Sequence, residues 1–241
     1  MPYSKIKEVK VRLWSNYDVH FVANDDVNII VGINGSGKTS LLTEIKKLAL
    51  GNINDKNQVV LIPSVDNIVI CDKRRTCNAL EQELEFYIFD IKTGPSLMSY
   101  RMSMIDAPAN KQTAMKARIE EFCSVANNLF QETGKHIEIQ GNKFYVVSNG
   151  QILSVDALSS GEKQILFILL RVFLLDCKES YVLLDEPESL LDIGWQHKLI
   201  NLLIRLNPNA QFFISTHSLS LGGAGWSNKI TQMEDIKTLK K

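Results

Sequence analysis

The 241-residue chain carries 27 basic and 27 acidic side chains. It is 45% hydrophobic and 22% charged, the composition of a globular protein that buries its own core. Zero formal net charge excludes an overall basic field that would draw in nucleic acid, and no apolar run reaches the roughly 18 residues of a membrane span. The four cysteines (Cys71, Cys77, Cys123, Cys177) form no C-x-x-C pair and read as reduced, mostly buried thiols. The N-terminal MPYSKIKEVK lacks a signal-peptide core, so the expected location is the cytoplasm.

Ile6 to Leu13 alternates apolar and charged residues as a half-buried strand does, with Val19 to Val22 as its expected partner. Val27 to Val31 is β-branched and largely apolar and reads as a central parallel strand. It runs into GINGSGKTS (Gly32 to Ser40) and then a helix from about Lys38 to Ala49. This is the strand, G-x-x-x-x-G-K-[ST] loop and helix of a phosphate-binding loop. Its glycines let backbone N–H groups curl inward toward phosphate oxygens, and the helix adds its positive end. Asn34, Gly35, Ser36, Gly37 and Ser40 form the cradle. Lys38 is expected to reach the β- and γ-phosphates of ATP, and the Thr39 hydroxyl to ligate Mg2+. Gly51-Asn52 is expected to end the helix as a C-cap.

Val59 to Ile62 and Ile68 to Cys71 read as short strands. Asn78 to Asp90 and Lys111 to Thr133 carry apolar residues at helical spacing, with breaks at Gly94-Pro95 and Ala107-Pro108. His136 to Val155 reads as a meander with turns at Gly141-Asn142 and Asn149-Gly150. The expected organisation is one nucleotide-binding domain, residues 1–241, with a helical and β-meander insertion at about 78–155. The last third returns to α/β order: helix Ser159 to Asp176, strand Tyr181 to Leu184, helix Trp195 to Leu206, strand Gln211 to Ser215. Apolar strands alternating with helices imply a parallel sheet flanked by helices.

YVLLDEPES ends an apolar strand in Asp185 and Glu186, two carboxylates that a strand's C-terminal edge delivers to a ligand crevice. Asp185 suits Mg2+ and Glu186 suits polarising an attacking water. LSSGEKQ (Leu158 to Gln164) sets Ser159 and Gly161 at a helix N-terminus, a second anion seat. By itself it also reads as a Ser N-cap with Glu162 in a capping box.

Together these motifs resemble an ABC-type ATPase head. GINGSGKT resembles Walker A, LSSGEKQ the signature, YVLLDEPE Walker B, SLLD ending in Asp192 the D-loop, and ISTHS, with His217, the switch-histidine motif. The resemblance implies an α/β P-loop fold, Mg-dependent ATP hydrolysis with Glu186 and His217 as catalytic residues, and Asp192 near the nucleotide. It also implies a homodimer in which Ser159 and Gly161 of one subunit meet the γ-phosphate held by Lys38 of the other. Two features depart from the pattern: Ser160 stands where glycine is usual, and neither Gln58 nor Gln82 has the flanks of the family's Q-loop glutamine.

LSSGEKQ, DEPE and THS resemble the SMC/RecF-like and small defence-associated ATPases more than transporter heads. The expected function is therefore an ATP-driven switch that gates a partner effector, such as a nuclease, in DNA repair or anti-phage defence. A transporter ATPase subunit and a non-hydrolysing nucleotide-gated scaffold are the alternatives. Lys73-Arg74-Arg75 and the tail KTLKK read as solvated surface and leave direct nucleic-acid contact open. LGGAGW (Leu221 to Trp226) reads as a structural turn, with Trp226 and Trp195 as packing residues.

Overall fold

The computed structural model describes residues 3–68, 78–141, 143–223 and 225–239. The chain divides into two compact units, Met1–Asn67 with Cys177–Lys241, and Ile68–Asp176. The helical and meander stretch expected at 78–155 falls within the second unit. Among the described residues no helix is long and apolar enough to cross a membrane.

The first unit opens with β1 (Glu8–Leu13) and β2 (Tyr17–Val22), an antiparallel pair joined by a tight turn, followed by β3 (Val27–Val31). All five residues of β3 are buried, which is why its sequence lacks alternation. α1 (Lys38–Gly51) buries Leu41, Leu42, Ile45 and Ala49, an i, i+1, i+4, i+8 stripe, and β4 (Val59–Ile62) follows. Gly51 does not take the left-handed conformation expected of a glycine cap. Instead the Asn52 N–H closes the last turn on the Ala49 carbonyl (3.0 Å).

The second unit contains α2 (Ala79–Phe89), α3 (Leu97–Met102), α4 (Ala109–Phe130), then β5 (Lys135–Gln140), β6 (Lys143–Ser148), β7 (Gln151–Leu153) and α5 (Ser160–Phe173). β5, β6 and β7 form the expected antiparallel meander, with Asn149 (φ 49°) and Gly150 (φ 75°) in its second turn. Two positive φ angles in succession are what a two-residue hairpin turn with strand-matched twist requires. α3 was not expected. Ser96 and Ser99 cap it reciprocally, so a short helix forms between the two predicted breaks. α4 buries Met115, Ile119, Phe122, Val125, Ala126, Leu129 and Phe130 along one face. The Arg171 guanidinium lies 4.4 Å from the Tyr87 ring centre, its charge set against an aromatic face. α5 ends at Phe173, three residues before the predicted Asp176.

The chain then returns to the first unit with β8 (Ser180–Asp185), α6 (Ile193–Leu206), β9 (Ala210–Thr216), α7 (Leu219–Gly223), β10 (Ile230–Gln232), α8 (Met233–Ile236) and β11 (Lys237–Leu239). β10-β3-β9-β8-β4 form a fully parallel sheet, and β1-β2-β11 a separate antiparallel one. The buried Gln211 side chain ties them: it donates to the carbonyls of Ile6 (2.8 Å) and Asn24 (2.7 Å) and accepts from the Ile6 N–H (2.9 Å). The KTLKK tail departs from the solvated reading, because residues 237–239 pair with β2. Ile68 is irregular; the rest of the strand predicted to Cys71, Cys77, the Lys73-Arg74-Arg75 cluster and residues 240–241 lie outside the described residues. Cys123 and Cys177 are half-buried thiols outside any disulfide, and burial pushes the Cys123 thiol up to about 11.

Candidate functional site

β3, β9 and β8 are adjacent and parallel, so their C-terminal ends open on one edge of the sheet. Val31 pairs with Thr216, and Asp185 with Ser215. The segments that follow these strands are the phosphate loop, the switch histidine and the two Walker B acids. Parallel pairing thus brings Thr39 and Asp185, 146 positions apart in sequence, onto a single crevice edge with His217.

In the loop, Gly37 (φ 105°) is the residue from which α1 starts. A Cβ there would also fall 2.7 Å from the Trp14 ring, so both conformation and space require glycine. At Gly32 the constraint is space alone: a Cβ would fall 2.7 Å from the Ser36 hydroxyl and 2.9 Å from Met233 Cβ. Asn34 and Gly35 are exposed, and Ser36 and Ser40 are half-buried. No acidic residue stands in the first turn of α1, so its positive end keeps its field for a ligand. Lys38 is buried, and its ammonium donates to the carbonyls of Gly32 (2.9 Å) and Ile33 (3.1 Å) and lies 3.6 Å from Glu186 Oε1.

The Thr39 hydroxyl donates to Asp185 Oδ2 (2.8 Å), and the Ser215 hydroxyl to Asp185 Oδ1 (2.5 Å). A hydroxyl and a buried carboxylate side by side are hard oxygen donors that suit Mg2+. Among the described residues no group of three or more His, Cys, Asp or Glu is arranged to hold a metal. A cation at Thr39 and Asp185 would therefore complete its shell with phosphate and water oxygens, as Mg2+ does.

Glu186 sits at φ 47°, a left-handed conformation that costs a non-glycine residue on the order of 1–3 kcal/mol. Its N–H is held by the Ser215 carbonyl (3.0 Å), and its own carbonyl accepts from the Ser189 hydroxyl (2.8 Å). The strained turn leaves the Glu186 carboxylate half-exposed, 3.9 Å from His217 Nδ1. Glu188, two residues on, lies 3.4 Å from the same nitrogen.

Lys38, Thr39, Asp185, Glu186 and His217 therefore come together in the first unit. Asp192 is the exposed N-cap of α6, accepting from the Trp195 N–H (2.9 Å). Ser159 and Gly161 belong to the second unit, at the start of α5. There the capping box forms: the Ser159 hydroxyl accepts from the Glu162 N–H (3.2 Å), and Glu162 accepts from the Ser159 N–H (2.7 Å). Glu162 is buried and also accepts from Lys135 (2.8 Å) and Thr133 (2.6 Å). Burial, the largest influence, works against its ionisation, yet these donors together hold its carboxyl below the usual range. Gln58 precedes β4, at the end of the sheet opposite the crevice edge, so it does not supply a Q-loop contact.

Two residues escaped the sequence reading. Trp14 and Ser15 take consecutive positive φ angles (50° and 65°) in the β1–β2 turn, presenting a half-exposed indole beside Gly37. Lys237 of β11 donates to the Ser36 carbonyl (3.1 Å), its ammonium 5.0 Å from the Trp14 ring centre and 4.1 Å from that of Tyr17. An aromatic in a tight turn between two strands was the available signal for Trp14. Long-range pairing hid Lys237. A cavity of about 290 Å3, lined by Ile33 to Ser36, Met233, Glu234 and Lys237, adjoins the loop. A second open groove, about 600 Å3, runs along α4 and β5; Lys135, the partner of Glu162, lines it, but none of the phosphate-loop, Walker B or switch residues does.

A family model described as "AAA domain, putative AbiEii toxin, Type IV TA system" matches residues 87–221, more than half of the chain. The match includes the signature, Walker B, D-loop and switch, and begins after the phosphate loop. Among solved structures, the SmcHead bound to the C-winged helix domain of ScpA is similar at a TM-score of 0.55 and 15% identity. The alignment covers 98% of this chain and 97% of that one. The SMC head domain from Thermotoga maritima aligns at 0.51 and 18% identity, covering 92% of each chain. At these identities the likeness is one of fold: an α/β P-loop architecture of the SMC-head type. No curated protein matches the sequence.

Proposed function

Because the chain belongs to the family of AAA domains described as putative AbiEii toxin of type IV TA systems, we propose that it is an ATP-hydrolysing switch whose state is read by a partner effector. The observation that carries this reading is the convergence of Lys38, Thr39, Asp185, Glu186 and His217 on one crevice edge, with Glu186 held in a strained backbone.

In this reading, ATP draws Lys38 away from the Gly32 and Ile33 carbonyls, exchanging two neutral acceptors for charged phosphate oxygens. The cradle from Asn34 to Ser40 binds the phosphates, and the Trp14 indole offers its face to the adenine. Thr39 and Asp185 would hold Mg2+, which neutralises charge on the β- and γ-phosphates. Glu186 orients a water for in-line attack on the γ-phosphorus and accepts its proton as the bond to the β-phosphate oxygen breaks, leaving ADP and phosphate. His217 donates to the γ-phosphate.

The composite site needs a second copy, whose Ser159 and Gly161 N-terminal groups would meet the γ-phosphate. The crevice edge carries exposed apolar residues suited to a protein contact: Ile33 (74% exposed), Leu190 (41%), Ile193 (62%) and Leu219 (66%). Both units then act as one ATPase domain in the cytoplasm, and dimer opening and closing is what an effector, a nuclease among the candidates, would sense in defence or repair. The family's association with a toxin system favours defence.

The test is phosphate release by the full chain with Mg-ATP, beside Glu186→Gln and calorimetry of nucleotide binding. The reading expects release by the wild type, a loss of about a hundredfold or more in the variant, and unchanged binding. Binding with no release in either protein would replace it with a nucleotide-gated scaffold. Co-purification with a polytopic membrane protein would replace it with a transporter subunit.

A further inference from the structure

Glu188 has no part in the chemistry above, yet it is buried beside the switch histidine. It is 3% exposed, in the turn after β8. Its Oε1 accepts from the Thr216 hydroxyl and from the His217 N–H (3.1 Å), and lies 3.4 Å from His217 Nδ1. Its Oε2 is buried without a hydrogen-bond partner among the described residues. Among the described residues the polar contacts of this carboxylate are therefore all made through Oε1, on the strand end that carries His217. The turn also has a tie that bypasses Glu188: the Ser218 hydroxyl donates to Gln196 Oε1 (2.9 Å), while the Ser218 N–H donates to Thr216 Oγ1 (2.9 Å).

Two carboxylates flank one imidazole nitrogen. Glu186 is the farther, at 3.9 Å, half-exposed and 3.6 Å from Lys38. Glu188 is the nearer, buried and pinned by two donors from the histidine's own strand end. We infer that Glu188 is a positioning residue for His217: it receives the Nδ1–H edge of the ring, so that Nε2 is the nitrogen presented to the nucleotide. A carboxylate behind a histidine fixes both tautomer and ring direction. Glu186 is then left free for water rather than spent on the imidazole. The neutral Nδ1–H ring has no proton on Nε2, so donation to the γ-phosphate takes a second ring proton, with Nδ1–H engaged by Glu188 throughout.

The inference rests on the proposed role of His217, and its test separates the two. The neutral ring in water favours the Nε2–H tautomer, so Glu188 should enforce the less common Nδ1–H form. Long-range 1H–15N correlation on the 15N-labelled full chain without nucleotide should find His217 protonated on Nδ1. Glu188→Ala should return it to Nε2–H. Glu188→Gln keeps an acceptor and the fold, and should give an intermediate mixture. In phosphate release, Glu188→Ala should lower kcat about tenfold or more with KM within about twofold, and Glu188→Gln should recover part of that loss. An Nε2–H tautomer in the wild type, or a tautomer and kcat unchanged in Glu188→Ala, would overturn the inference. If the chain releases no phosphate at all, the hydrolytic reading fails while the tautomer result still decides this one.

Discussion

The phosphate-loop edge of the first unit and the signature end of α5 in the second are both polar sites at helix starts, and they are built in opposite ways. At the loop edge the side chains are held by partners a ligand can replace: Lys38 by two carbonyls, Thr39 by Asp185, and Glu186 by a strained turn. At the signature Ser159 and Glu162 cap each other, and Glu162 is buried against Lys135 and Thr133. One region keeps its interactions exchangeable, as chemistry needs. The other spends its charges on rigidity, as a fixed row of backbone donors needs. Substitutions in the first should therefore change function at little cost in stability, and those in the second the reverse.

The largest contrast comes from Lys38→Ala. It removes the buried ammonium proposed to reach the phosphates, and ATP affinity should fall about 10- to 100-fold, the range of a lost charged hydrogen bond. Thermal stability should change little, because a buried cation is removed with its desolvation cost. Calorimetry and a melting curve check both halves. An unchanged affinity would remove the loop from the account.

Glu162→Ala inverts the pattern. It strands Lys135 half-buried and uncaps α5, and should cost about 2–4 kcal/mol in chemical denaturation. ATP affinity of the isolated chain should stay within about twofold. A stability loss under about 0.5 kcal/mol would mean that the network is surface decoration.

Acid should sharpen the same difference. The folded carboxyl of Glu162 lies below its unfolded value, so its contribution is present above the unfolded pKa and lost as pH falls through the folded one. Below about pH 4.3 the wild type should lose stability faster than Glu162→Gln. Parallel stability–pH curves for the two proteins would contradict the assignment.

The smallest effect tests the strain. Glu186→Gly removes the left-handed cost at φ 47° and should raise stability, by about 1 kcal/mol after glycine's own entropy is counted, while abolishing hydrolysis. A destabilised glycine variant would show that the turn is relaxed.

Much of this contrast was legible in the sequence, for identifiable reasons. Val27 to Val31 and Tyr181 to Leu184 are buried on both faces and could only be central strands. Gly37, Lys38 and Asp185 stand at fixed offsets from those strands, so the chain itself marks the crevice edge. The capping box at Ser159 was also readable, because it is local. What failed was non-local or atypical. β11 exists because it pairs with β2 from the far end of the chain. α3 uses a Ser-Ser box without the usual Glu or Gln. Glu188 looked like one more acid in DEPES, and only the sheet register brings it to His217.

The central claim is that the exchangeable edge of one copy is completed by the rigid signature of another, and the most direct measurement is the solution mass of Glu186→Gln with and without Mg-ATP. The variant should bind ATP without turning it over, so the closed state should accumulate. At concentrations well above nucleotide affinity, with any co-purifying partner present, the mass should be that of two chains with ATP and of one without. Ser159→Arg added to the same variant should return it to one chain in both conditions. A single-chain mass for Glu186→Gln with ATP bound would contradict the account.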